Sequence, residues 1–595
     1  MKKKINFAKV FASVAMAFGV FAGANAQTNL GASCGCPPVG SRGTTNVSSL
    51  PGAVAIAGDP DAFQLTAGAT FTCNTTYILD KKIYVPSGQT LNIAAGTVIK
   101  GAAAGLPEDQ TALVIERGGK IYAMGTEDCP IVFTANADNL DGTFPITTIG
   151  SWGGVVILGR ATNNLVAGNT PQTFGSKVGM GVGVGLIEGF NNTGAHNRYG
   201  VLQSGVVSGE TIGTFNDDDN SGIMKYVSIR HTGAILEVGA EINGLTLGSV
   251  GRGTTLEHIE IVSGADDMIE LFGGNVNLKW VTTLFGNDDM LDYDHGWSGK
   301  VQFFFGMKND GITTGEASPD NDNGIEADSD DNNVQSAPVA TPTIFNSTFM
   351  GNAKVTGTAD NRALAAINAK DGAGGAIYNS VFAFFKNGLN IEKALGTRTL
   401  PLGGNAWHNW YNVPATPAVP TATTGNGTLN LKVKCNHFVG VTNPLIFNGS
   451  NIAANGTALT AGTASDVGIA NGAEFTQFTT TDLNVIVSGN TLPGFNYNFT
   501  RSGNTFTVKN DPTPNPALSV AGCPVAPVDG FFEPANYRGA FSSTYGDNWL
   551  STWSYANVLG ASRGIVACPT DLNFDGQTNV NDFLIFAPAF GTSCN

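Results

Sequence analysis

The chain has 595 residues, 78 of them glycine, and only 13% are charged, about half the usual share. That excludes a coiled coil and a highly charged disordered chain, and eight cysteines are too sparse for a small disulfide scaffold. A formal charge of −16 sets nucleic acid aside, because a phosphate backbone would be repelled, and it favours divalent cations as counter-charges.

The first 26 residues read as an export signal. Lys2, Lys3 and Lys4 precede an apolar run from Val10 to Val20, and Ala24-Asn25-Ala26 forms a small-residue cleavage site. No later run is long enough for a transmembrane helix. The expected location is therefore secreted, extracellular or at the outer cell surface, where disulfides persist. Cys34 and Cys36 are too close together to close an ordinary loop and should find partners elsewhere. Cys568 and Cys594 bracket a compact terminal motif and are expected to pair.

After an N-terminal segment, 27–59, short β-type runs follow one another every 6–8 residues with turn signals between them. They are Ile83–Val85, Thr90–Ile93, Thr97–Ile99, Ala112–Ile115, Lys120–Ala123 and Ile131–Phe133. This spacing is too dense for βα units. Farther on, Ala265-Asp266-Asp267-Met268-Ile269-Glu270 recurs 22 residues later as Asn287-Asp288-Asp289-Met290-Leu291-Asp292, and Leu256/Leu278 and Gly274/Gly296 keep the same offset. A repeat of about 22 residues with this composition is one coil of a parallel β-solenoid. Residues 222–233 begin an earlier coil, and Ile344–Phe349 and Ile377–Phe382 are later ones 33 residues apart. The predicted fold is all-β, a right-handed parallel β-helix over 60–510, with an N-terminal cap within 45–80 and loop insertions at 160–220, 308–340 and 395–426. Residues 511–564 are expected to be a linker and an aromatic cap over the C-terminal end, and 565–595 a separate small module.

The runs LNIAAGTVIKG, ALVIERGGKIYAMGTEDCPIVFTA, GSWGGVVILGRA, EINGLTLGSVGRGT and DHGWSGKVQF resemble a family of secreted bacterial right-handed β-helix proteins similar to pectate-lyase-like folds. The resemblance covers roughly 75–310, with an echo in FFEPANYRGAF at 531–541. Members mostly have no assigned activity, so it implies the fold and not a reaction.

Near the C-terminus, Asp571 to Asp582 fits a twelve-residue calcium loop. Asp571, Asn573 and Asp575 supply side-chain oxygens, Gln577 its carbonyl, and Asn579 a direct or water-mediated contact. Asp582 closes the site, and Gly576 permits the sharp turn. A short apolar helix begins at Asp582, so the module resembles half of a dockerin repeat. Ca2+ is the expected cofactor, and the module has a possible protein partner.

In the repeat, stacked coils should place Asp266 beside Asp288, Asp267 beside Asp289 and Glu270 beside Asp292, about 4.8 Å apart. Glu326 and Asp328 could extend the strip, which ends in Asp294-His295-Gly296. Three readings are open: solvated turn residues, calcium sites, or catalytic carboxylates. For catalysis the candidates are Asp266, Asp267, Asp288, Asp289, Asp292 and His295, because adjacent coils approach the retaining-glycosidase carboxylate separation. Arg230 and His231 on a preceding coil could then meet an acidic sugar. No GxSxG, HExxH or P-loop is present. Two functions compete: a calcium-stabilised protein that binds polysaccharide or cell-surface glycan without catalysis, and a polysaccharide lyase or glycoside hydrolase using 266–296.

Overall fold

The computed structural model describes residues 27–103, 110–166, 179–190, 194–237, 240–308, 323–330, 337–351, 364–370, 373–392, 431–448, 473–489, 491–495, 501–502, 504–506, 511–543 and 548–561. The export signal, the calcium loop and the Cys568/Cys594 pair lie outside the described residues.

The chain forms a parallel β-helix with three faces, called here the first, second and third sheets: the first two are the halves of one 18-stranded sheet bent at a corner, and the third is a 12-stranded sheet. One full turn runs through Ala69–Phe71 on the first sheet, Thr75–Leu79 on the second and Lys82–Val85 on the third. The next turn places Thr90–Ile93, Val98–Gly101 and Ala112–Ile115 directly beside them. Leu256 and Leu278 pair in register and both are buried. Ile344 pairs with Ile377, and Phe349 with Phe382. The rungs persist while coil length varies, because insertions leave only at the corners between sheets.

Period-2 alternation alone would leave one face of each strand wet. Inside, one aliphatic or aromatic residue per rung stacks on the next. Phe304, Phe349, Phe382, Phe438 and Phe478 form a column with ring centroids 4.9–5.4 Å apart. The corner between the first and second sheets needs a left-handed residue in each coil. It is supplied by Tyr226, His258, Trp280, Phe303, Asn346, Asn379, Cys435 and Leu483, with φ between 50° and 60°. These are not glycines, and the backbone strain is offset by stacking: Tyr226 on His258 at 4.3 Å and His258 on Trp280 at 4.7 Å.

Within 45–80 an antiparallel hairpin, Ala53–Ile56 with Asp59–Leu65, stands at the N-terminal end, and its second strand is already a rung beside Lys82–Val85. Two expectations need correction. The stretch 308–340 is not all insertion, because Ile325–Ala327 is a rung between Leu291–Asp294 and Ala365–Ala369. The aromatic stretch does not cap the C-terminal end. It runs back over the first sheet, the corner and the second sheet: Lys279 Nζ on the first sheet donates to Phe531 O, Asn379 Nδ2 and Asn346 Nδ2 at the corner to Pro524 O and Tyr537 O, and Tyr555 N–H to Glu260 on the second sheet. Its rings bury against that surface. Phe541 packs edge-on to Phe305, and Trp553 edge-on to Tyr226 and His258.

Among the described residues, three disulfides are formed: Cys34–Cys129, Cys36–Cys73 and Cys435–Cys523. The first two tie the N-terminal segment to the early coils, and the third ties the flanking strap to a late coil. Cys34 and Cys36 thus do find distant partners.

Candidate functional site

The outer face of the third sheet changes character along the helix. In the early coils it is apolar: Tyr84, Ala112, Val114, Val156 and Leu158 point outward. The insertion after Leu158 covers them. Its hairpin pairs Gly179–Leu186 with Arg198–Ser204, and Leu165, Ile187, Phe190 and Tyr199 complete a second apolar core outside the β-helix. Glu210 clamps the insertion to the barrel by accepting from Arg117 at 2.6 and 3.0 Å and from Arg198 at 3.2 Å.

From Glu270 onward the same face becomes acidic. Glu270 pairs in register with Asp292, and Asp292 with Glu326. Asn368 and Asn390 continue the column, Asn390 Nδ2 donating to Asn368 Oδ1 at 2.8 Å. Asp294 and Asp328 occupy the parallel column. At the corner before this sheet, Asp267 Oδ1 accepts the N–H of Asp289 at 2.9 Å, and Asp289 Oδ1 accepts the N–H of Asn323. The repeated Asp-Asp-Met corner therefore has a local purpose, since each carboxylate caps the backbone of the next coil.

The strip is buried rather than solvated. Asp267, Glu270, Asp289, Asp292, Asp294, His295, Glu326 and Asp328 are all buried, while Asp266 and Asp288 are half-buried. The reading as solvated turn residues fails for most of them. Burial, followed by the nearby Asp292, Asp289, Asp288 and Asp266, holds the Asp267 carboxyl well above the usual range. Burial, followed by Glu326 and Asp288, does the same to Asp289, with Lys308 opposing. Lys308 Nζ donates to Asp288 O, and Lys370 pairs with Glu326 at 2.9 Å and Asp328 at 3.7 Å.

His295 belongs to the same face but is sealed beneath the insertion. Its Nδ1 lies 2.8 Å from Tyr199 Oη, its ring packs against Tyr199 and Phe272, and its carbonyl accepts from Asn164 N–H at 3.0 Å. Asp294 Oδ2 is 3.4 Å from Nε2. Arg230 and His231 do not join the strip as supposed. Both are buried on the second sheet, and Arg230 lies 4.0 Å over the Tyr555 ring with Nε on Ser228 Oγ at 2.8 Å. His231 Nδ1 meets Thr148 O at 2.7 Å, and burial lowers its pKa to about 4. These two side chains hold the wall together and are closed to an acidic sugar.

Among the described residues, two groups of carboxylates could hold a cation: Asp266, Asp267 and Asp288, and the buried Asp267, Glu270 and Asp292, with ligand atoms within 4.8 Å of one another in each. Asn243, which lies in the run EINGLTLGSVGRGT but outside the 22-residue repeat, meets the second group through Nδ2 on Glu270 Oε2. Only its place one coil before Asp267 could have signalled it.

Among the described residues, no helix is long and apolar enough to cross a membrane. No curated protein and no solved structure matches the chain. A family profile described as a pectate-lyase-like β-helix domain matches residues 64–183 and 187–480, most of the chain. With three parallel sheets stacked in register through those same residues, the chain belongs to the pectate-lyase-like β-helix family.

Proposed function

We propose that the protein is exported and acts at or outside the cell surface as a polysaccharide-binding β-helix without catalysis. The observation that carries this reading is the burial of most of the acidic strip. A lyase or hydrolase must bring a polymer's scissile bond against its carboxylates, and here Asp267, Asp289 and Asp292 are buried and His295 is covered by Tyr199 of the insertion, with only Asp266 and Asp288 half-buried. We assign the buried acids a structural role.

A face suited to a polymer lies on the first sheet. Thr70, Asn92, Tyr122, Ile223, Thr255 and Asn277 follow one another in register, one per coil. Thr70 and Asn92 are exposed, and the other four are half-buried. A row repeating at the rung spacing of about 4.8 Å, with Tyr122 as a stacking surface, can follow an extended sugar chain. The terminal segment 565–595 serves as a calcium-bound module, with Asp571, Asn573, Asp575, Gln577, Asn579 and Asp582 as ligands. The three disulfides use six of the eight cysteines, which leaves Cys568 and Cys594 to each other. The module's apolar helix would offer a protein partner a docking face.

The test is incubation of the mature protein with acidic and neutral polysaccharides in calcium. The expected outcome is retention on at least one polymer, weakened tenfold or more by Tyr122→Ala with Asn92→Ala, and no cleavage. New reducing ends or unsaturated-sugar absorbance would establish the lyase or hydrolase reading instead.

A further inference from the structure

Asn243 stands one coil before Asp267, two residues ahead of the Leu245–Ile269 rung. Along that column each later side chain accepts the backbone N–H of the following coil. Asp267 Oδ1 takes Asp289 N–H, Asp289 Oδ1 takes Asn323 N–H, and Asn323 Oδ1 takes Ala365 N–H at 3.2 Å. Asn243 breaks the pattern. Only 1% of it is exposed, its Nδ2 donates to Glu270 Oε2, and its Oδ1 accepts no hydrogen bond. A buried amide oxygen without a donor is costly, and this amide head lies against the buried Glu270 carboxylate, which is itself grouped with Asp267 and Asp292.

Oxygens of Asp267, Glu270 and Asp292 lie within 4.8 Å of one another. Two oxygens that each bind an ion at about 2.4 Å can be no more than about 4.8 Å apart, and every pair among the three meets this requirement for sharing one ion. The donors are carboxylates and an amide, hard oxygens without sulfur or imidazole, which suits calcium and disfavours soft metals. Three acids brought this close in a buried wall repel one another when ionised. A divalent cation would neutralise two of the charges and give the Asn243 oxygen a partner.

We infer that Asn243, Asp267, Glu270 and Asp292 bind one calcium ion that bridges three successive coils of the β-helix. This site is separate from the terminal loop, and its role is to hold the rungs at the point where the outer face turns from apolar to acidic.

The test uses the full mature chain carrying Asp571→Ala with Asp575→Ala, which disables the terminal loop. Its calcium content is measured by mass spectrometry after incubation in millimolar calcium and desalting into metal-free buffer. One bound equivalent is expected, and a chelator should lower the melting temperature of this same chain. Adding Glu270→Gln with Asp292→Asn should reduce the content at least tenfold, and Asn243→Ala should weaken binding at least tenfold. The inference is overturned if the loop-disabled chain retains no calcium, a result that needs no further variant to fold. It is equally overturned if a folded Glu270→Gln, Asp292→Asn chain keeps its full equivalent.

Discussion

Replacing Glu260 by Gln should release the end of the strap without unfolding the β-helix. Glu260 is wholly buried on the outer face of the second sheet. Its Oε1 accepts from Ala556 N–H at 2.8 Å, and its Oε2 accepts from Tyr555 N–H at 2.9 Å and Ser228 Oγ at 2.6 Å. These bonds fix the start of the short helix Tyr555–Leu559, whose cap is Ser554. A glutamine presents an NH2 group to one of those backbone donors and removes the charge from the rest. With charge-assisted bonds contributing about 1.5–3 kcal/mol each, the expected loss is about 2–5 kcal/mol, borne by the strap. The interior core is a separate cluster from the one that holds Phe541, Trp553 and Leu559. Hydrogen exchange should therefore speed up at the amides of Tyr555 and Ala556 by at least about tenfold, with Trp553 becoming accessible to quenchers. Interior amides such as that of Leu278 should stay protected. Unchanged exchange at Tyr555 and Ala556 would refute the latch, and equal loss of protection at Leu278 would refute its independence.

Burial pushes the pKa of His258 down to about 4 and that of His437 down to about 3. Each is neutral when folded and gains a proton near pH 6.5 when unfolded. Their contribution to stability is complete above that pH and is lost as the pH falls, by about 2 kcal/mol per histidine between pH 6.5 and 5. His258→Asn, which keeps a planar side chain tolerant of the left-handed corner, should flatten this acid limb in denaturant titrations at pH 7 and 5; an unchanged pH slope would contradict it. Replacing Cys435 and Cys523 by serine opens a loop with a sequence separation of 88, and the chain-entropy model gives a loss of about 4–5 kcal/mol. The melting temperature should fall in oxidising buffer and become insensitive to reductant. No change on substitution would show that the strap holds without its covalent tie.

The repeat was most legible where two adjacent coils carry no insertion, at 254–300, and could be followed across a longer coil where Ile344 pairs with Ile377 and Phe349 with Phe382. In the stretch without insertion Leu256 and Leu278 are one coil apart in sequence as well as in space. Elsewhere the same rung is hidden by what is inserted between corners, as for Val301 and Ile344, which pair across a long loop. The left-handed corner is invisible for a different reason. Tyr226, His258, Trp280 and Phe303 are not residues that announce positive φ, and only their mutual stacking accounts for them. Stacking of the acids could be read from the 22-residue offset, but their burial could not. The groups that cover His295, Tyr199 and Asn164, lie about a hundred residues earlier in an insertion without periodicity. Asn243 escaped notice because a single asparagine, outside the repeated motif, carries no pattern.

The change of character along the third sheet explains why one insertion can cover two unlike surfaces. Over Val114, Val156 and Leu158 the insertion is held by apolar burial, a non-directional force that tolerates variation in the covering residues. Over Asp294, His295 and Asp328 it meets desolvated polar groups, which are stable only when each finds a donor or counter-charge. The contacts there are correspondingly specific: Tyr199 on His295, Asn164 Nδ2 on Ser329 O at 2.8 Å, and Asn163 Nδ2 on Ser249 Oγ at 2.8 Å. The apolar half anchors the insertion, and the polar half fixes its register. Where the insertion covers His295 and Ser329, each desolvated group is met by a specific partner, so the register of the covering loop and the internal electrostatics of the wall are set by the same contacts.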